Sequence, residues 1–116
     1  MTNLKTTTDR IQTYQEFWPF YLKEHSKKAT RNWHYVGSTI GFICLILFFV
    51  TFQARFILLG LIAGYACAWF SHFTIEKNRP ATFKYPLWSF ASDWKMWFLW
   101  VTGGLNKELK KHQIEQ

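Results

Sequence analysis

Only two cysteines are present, Cys44 and Cys67, and both lie inside apolar segments. No CxxC or other paired spacing occurs, so neither a disulfide framework nor a cysteine zinc site is expected. Both thiols read as small buried apolar groups. Acidic residues are scarce as well, 7 against 14 Lys and Arg, and the formal charge is +7. Such a surplus can serve nucleic-acid binding. Here, however, the basic residues flank apolar segments, so anionic lipid headgroups are the simpler counter-charge and no nucleic acid is expected as a partner. Charge is missing altogether from residues 35–52 and 56–73, apart from a possible proton on His72. No internal repeat is visible. No secretory signal is expected ahead of the apolar region, because residues 1–34 are polar and charged.

Aromatic residues are abundant: seven Trp and twelve Phe in 116 residues. A single small domain has little interior for so much aromatic surface, and a bilayer removes the difficulty. The mean hydropathy of −0.10 hides a partition, with apolar residues in the middle and charges at the ends. Residues 1–8 read as a polar tail, and Asp9 as a helix cap. Ile11, Tyr14, Trp18, Tyr21 and His25 make one helical stripe. The spacing predicts an interfacial helix over 9–26, kinked or restarted at Pro19. Residues 35–52 and 56–73 each approach the lower limit for crossing about 30 Å of hydrocarbon. One such run could be a buried soluble helix; two in succession, joined by Gln53-Ala54-Arg55, predict an antiparallel transmembrane hairpin. Lys23, Lys27, Lys28 and Arg31 flank one end of it and Lys77, Arg79 and Lys84 the other, while Arg55 alone marks the tip. That bias places both termini in the cytoplasm. Residues 78–86 form a Pro-bounded loop. Residues 87–101 predict an interfacial or re-entrant helix, because Asp93 and Lys95 oppose a central span. Gly103-Gly104 ends it, and 105–116 read as a polar tail. The expected fold is all-α, one membrane domain over residues 1–116, with two transmembrane helices flanked by interfacial amphipathic helices.

A tip at residue 54 sets His34 level with the turn holding His72 and Glu76, which are four apart and share a helix side. His25 can fold back toward the same place. Gly37 and Gly41 in the first run, and Gly60 and Gly64 in the second, suit close helix approach. In the same register Gly37 and Gly41 face Ser71 and Cys67, and Gly64 faces Cys44. Ionisable groups near membrane depth usually have a reason to be there. Two His and one carboxylate suit iron(II) and oxygen activation. The plainer alternative, snorkelling at the headgroups, stays open on spacing alone. Asp93 reads as structural or solvated.

Phe17-Trp18-Pro19-Phe20-Tyr21-Leu22-Lys23-Glu24-His25, then Arg31 and His34-Tyr35-Val36-Gly37, then His72-Phe73-Thr74-Ile75-Glu76-Lys77-Asn78-Arg79-Pro80-Ala81 together resemble a small membrane family. It was long catalogued as a domain of unknown function, and it includes the fungal 2-hydroxy fatty acid dioxygenase of phytosphingosine breakdown. The resemblance covers roughly residues 14–100. Thr30 stands where members usually carry Asn, and Gln and Gly ahead of the His72 block are absent. The chain resembles a compact bacterial-type branch, which implies the inner membrane. The resemblance implies iron(II)-dependent α-oxidation, in which a 2-hydroxy fatty acid and dioxygen yield an acid one carbon shorter. It makes His25, His34 and His72 metal ligands, with Glu76 a ligand or a group that orients His72. His34, His72 and Glu76 would carry the catalysis. Arg31 or Arg79 would hold the substrate carboxylate, and the acyl chain would lie along the hairpin. Two other functions compete: a non-enzymatic scaffold or subunit that docks a partner through Trp-rich helices, and haem held between His34 and His72. Haem is not expected, because a closely packed hairpin leaves little room for it. An oligomer is compatible with the sequence.

Overall fold

The computed structural model describes residues 10–116, so the expected tail at 1–8 and the Asp9 cap lie outside the described residues. Five α-helices and no strand occur among the described residues. Helix α1 spans Tyr14–Lys23 and begins where the Thr13 hydroxyl accepts the Glu16 N–H at 3.2 Å. It starts later than the periodicity predicts, and it passes through Pro19 without a restart. Pro19 lies in the second turn, where its missing N–H deprives only the exposed Gln15 position of a donor.

Helix α2 spans Lys28–Thr51 and α3 spans Arg55–Ser71, with Phe52 closing α2 in the left-handed conformation. A π-turn, His72–Glu76, continues α3 and ends at Lys77, which has φ 63°. Helix α2 starts seven residues ahead of its uncharged segment, and the π-turn carries α3 past the end of its own. At 1.5 Å per residue, the 24 residues of α2 extend about 36 Å. Among the described residues, Lys28–Thr51 and Arg55–Glu76 are long and apolar enough to cross a membrane.

Glycines set how the two helices meet. A Cβ on Gly37 would lie 3.0 Å from the Cys67 Cβ and 3.2 Å from the Gly64 backbone, and one on Gly60 would lie 3.1 Å from the Cys44 Cβ. Gly37 thus faces Gly64 and Cys67 rather than Ser71, and Gly41 faces Gly60 rather than Cys67. The register differs from the expected one by one to two helical turns. Backbone approach at the glycines fixes it, not the midpoint of the turn.

Helix α4, Pro86–Thr102, begins with Pro at its first position and closes at Gly103, φ 89°. It docks on α2 through the Trp97 indole, which donates to the Thr39 hydroxyl at 3.0 Å, and through a Tyr35–Trp100 stack at 4.3 Å. The expected polar tail instead contains helix α5, Leu105–Lys111, and buries Leu105, Leu109 and Ile114. Those apolar residues join Phe17, Trp18, Tyr21, Leu22 and Met96 in a largely aromatic core built mainly from α1, α4 and α5. The core therefore sits at one end of the α2–α3 pair. Most of the pair's apolar side chains, such as Phe49, Leu58 and Ile62, are exposed.

Candidate metal centre

Three histidines from three elements converge beside the aromatic core. His25 follows the end of α1, His34 lies in α2, and His72 opens the π-turn. All three are buried, and one ring nitrogen from each lies within 4.8 Å of the others. His25 sits between its partners: its Nε2 is 3.1 Å from His34 Nε2 and 2.9 Å from His72 Nε2.

The opposite nitrogens decide what those contacts are. His25 Nδ1 lies 2.7 Å from the Tyr21 carbonyl, and His72 Nδ1 lies 2.7 Å from Asn78 Oδ1. The Asn78 amide orientation is fixed independently, because its Nδ2 donates to the Glu24 carbonyl at 3.1 Å and to the Glu24 carboxylate at 3.2 Å. His34 Nδ1 faces Asp93 Oδ1 at 3.6 Å. Carbonyl and amide oxygens only accept, so His25 and His72 carry their ring protons on Nδ1, and the Asp93 carboxylate on that side of His34 favours the same tautomer there. Three Nε2 lone pairs then point at one another. Acceptors at that separation repel unless a cation joins them. A proton on His25 is poorly suited to that task. Burial, and next the neighbouring His34 and His72, push its pKa well below the usual value. Three neutral imidazoles braced by oxygen acceptors are a donor set for a divalent transition metal.

A family described as 2-hydroxy-palmitic acid dioxygenase Mpo1-like matches residues 11–105. The chain belongs to the Mpo1-like family. No curated protein and no solved structure matches it. In this Mpo1-like chain the matched region holds every element that carries the three histidines.

Other residues singled out from the sequence take different places. The Glu76 carboxylate is not among the converging ligand atoms. It accepts the Ser26 hydroxyl at 2.9 Å, the Lys27 N–H at 2.5 Å and the Thr30 hydroxyl at 3.0 Å. It therefore caps the start of α2 from the end of the π-turn, and Thr30 takes part in the cap. The Arg31 guanidinium, expected to hold a substrate carboxylate, is buried and spent on backbone carbonyls: His25 at 2.8 Å, Ser26 at 3.0 Å and Glu115 at 2.5 Å. Arg79 is exposed, and its guanidinium lies 5.6 Å from the centre of the Phe83 ring.

Asp93, read from the sequence as structural or solvated, is hydrogen-bonded inside the protein and faces the cluster. It accepts a hydrogen bond from the Tyr21 hydroxyl and stands beside His34. Burial raises its pKa to about 6, and the Tyr21 hydrogen bond opposes that rise. A signal for it existed in the sequence: a carboxylate within a largely apolar, aromatic stretch is the kind of ionisable group that singled out the histidines. Asn78 also lay within the quoted block, six residues after His72, but only the π-turn shows that it turns back onto that imidazole.

Proposed function

We propose that this protein is a membrane-embedded, iron(II)-dependent dioxygenase that shortens 2-hydroxy fatty acids by one carbon. The single observation that carries this reading is the convergence of three buried Nε2 atoms on rings whose Nδ1 atoms face oxygen acceptors. Family membership supplies the reaction class, since the family's description names a 2-hydroxy-palmitic acid dioxygenase. Iron(II) on the three imidazoles would supply binding and activation of dioxygen. The chain's own contribution is positional. The Tyr21 carbonyl and Asn78 hold the Nδ1 protons of His25 and His72 and so aim their Nε2 atoms, while the Asp93 carboxylate faces His34 Nδ1 at 3.6 Å. The aromatic core and the neighbouring helices keep the cluster out of bulk water.

The α2–α3 pair is read as a hairpin that spans a bilayer. Only 17% and 22% of the two apolar windows are buried within the protein, whereas the core helix of a soluble protein is mostly buried. Lys23, Lys27, Lys28, Lys77, Arg79 and Lys84 lie toward the histidine end and Arg55 at the other, a bias that supports reading the cluster and both termini as cytoplasmic, at a bacterial inner membrane.

The test is turnover by purified protein loaded with iron(II) under anaerobic conditions. On addition of 2-hydroxypalmitic acid and oxygen, the wild type is expected to consume one O2 per acid and release the acid one carbon shorter with carbon dioxide and water. His34→Ala and His72→Ala are expected to do neither. Iron-loaded wild type that leaves the 2-hydroxy acid intact would contradict the proposal.

A further inference from the structure

A groove of about 330 Å³ runs between α2, α3 and α4, and His34 and Asp93 line one end of it. It is therefore continuous with the histidine cluster. Its lining is graded. Ser38 and Tyr65 stand toward the His34 end, because Gly64 packs on Gly37; Leu45, Phe56 and Ile57 line the end toward the 52–54 turn.

The four glycines of the helix pair divide into two kinds. Gly37 and Gly60 bring the helices together, since a Cβ on either would come within 3.0 Å or 3.1 Å of a cysteine Cβ. All four line the groove, but Gly41 and Gly64 leave space: a Cβ would meet nothing nearer than 3.6 Å on Gly41 and 3.9 Å on Gly64. From His34 to Leu45, α2 rises about 16 Å at 1.5 Å per residue. An extended chain advancing roughly 1.2 Å per bond covers that in about thirteen bonds.

We propose that this groove holds the alkyl tail of one single-chain 2-hydroxy acid, with the carboxyl end at the histidines. Gly41 and Gly64 set its width, and Leu45, Phe56 and Ile57 set the chain length it accepts. The identity of the head group rests on the dioxygenase reading; the seat of the tail rests on the groove. A single-chain acid is the occupant, because the polar end of the groove adjoins the buried His34 and the groove, at about 330 Å³, is the size of one acyl chain rather than the two of a diacyl lipid.

The experiment is photolabelling of the full-length protein in lipid nanodiscs with two diazirine-bearing 2-hydroxy acids of about fourteen carbons. One carries the diazirine near its carboxyl end and the other at its terminal methyl. The terminal probe is expected to label peptides holding Leu45 or Phe56-Ile57, and the proximal probe those holding Ser38 or Tyr65. Excess unlabelled 2-hydroxy acid is expected to suppress both, and diacyl phospholipid neither. Gly64→Leu, which fills the groove, is expected to abolish terminal labelling. Leu58→Trp, on an exposed face of α3, is expected to leave it intact. Labelling of outward-facing residues such as Ile46 and Ile62, without depth dependence or competition, would mean boundary lipid only and would overturn the proposal. That readout uses the wild type and does not depend on how Gly64→Leu folds. Turnover measured on the same samples separates the two readings. Depth-dependent labelling without acid shortening defeats the dioxygenase and keeps the groove; shortening with outward labelling does the reverse.

Discussion

Asp93 and Asn78 each present an oxygen to one imidazole Nδ1 and so turn one Nε2 inward. Removing such a partner leaves the ligand in place but frees its tautomer and ring orientation, which typically weakens metal binding about 10–100-fold. Asn78→Ala and Asp93→Ala, which remove the oxygen, are expected to show losses of that size in chelator competition, with the metal-free protein still folded. A drop in metal-free stability as large as that of an unfolding variant would contradict the positioning role. Glu76 separates from them. Its oxygens cap α2, so Glu76→Ala is expected to lower stability by about 0.5–2 kcal/mol while metal stoichiometry holds. Loss of stoichiometric metal in that variant would restore Glu76 as a ligand. The histidines were legible in the sequence because a turn between two apolar runs brings His34 and His72 to one end, and the stripe carries His25 there. Glu76 and Arg31 were not. What they touch is set by the 24–27 loop and by the fold of the last few residues, and spacing along a helix says nothing about either.

Helix α2 and helix α3 meet through glycines whose roles differ, and the difference gives a paired expectation. Alanine is favoured over glycine inside a helix by up to about 1 kcal/mol. At Gly64 the added methyl meets only a carbonyl at 3.9 Å, so Gly64→Ala is expected to be neutral or stabilising. At Gly37 it would press on the Cys67 Cβ at 3.0 Å and on the Gly64 backbone at 3.2 Å. Overpacking of that kind costs about 1–3 kcal/mol, so Gly37→Ala is expected to melt lower than Gly64→Ala. Equal melting temperatures would mean that the helices do not meet in this register. The existence of both helices was legible in their charge-free runs. Their lengths were not, because α2 begins at Lys28 among basic residues, held there by the Glu76 cap. Helix α5 was not legible, because only Leu105, Leu109 and Ile114 interrupt a charged stretch, too few to show a period without the aromatic core they join.

The described residues measure 55 × 29 × 26 Å, with their buried core and histidines at one end of the long axis and an apolar helix pair at the other. That polarity fits a protein anchored in a bilayer with its reactive end beside the headgroups. A cysteine placed at Ala54 is expected to react with an impermeant maleimide added outside intact cells, and one at Gln116 only after lysis. The reverse pattern would invert the orientation, and protection of neither site would remove the bilayer from the account. The C-terminus belongs to the same assembly, since Arg31 ties the Glu115 carbonyl to the carbonyls of His25 and Ser26 and so joins the last residues to the histidine loop.

The claim on which all of this depends is that three imidazoles share one metal ion. Elemental analysis joined to iron-edge X-ray absorption on the purified protein measures it directly. One iron per chain with histidine nitrogens in its first coordination sphere, lost together in His25→Ala, His34→Ala and His72→Ala, is the result expected. Protein that carries no metal after iron loading, or that keeps its iron when all three histidines are replaced, would contradict it.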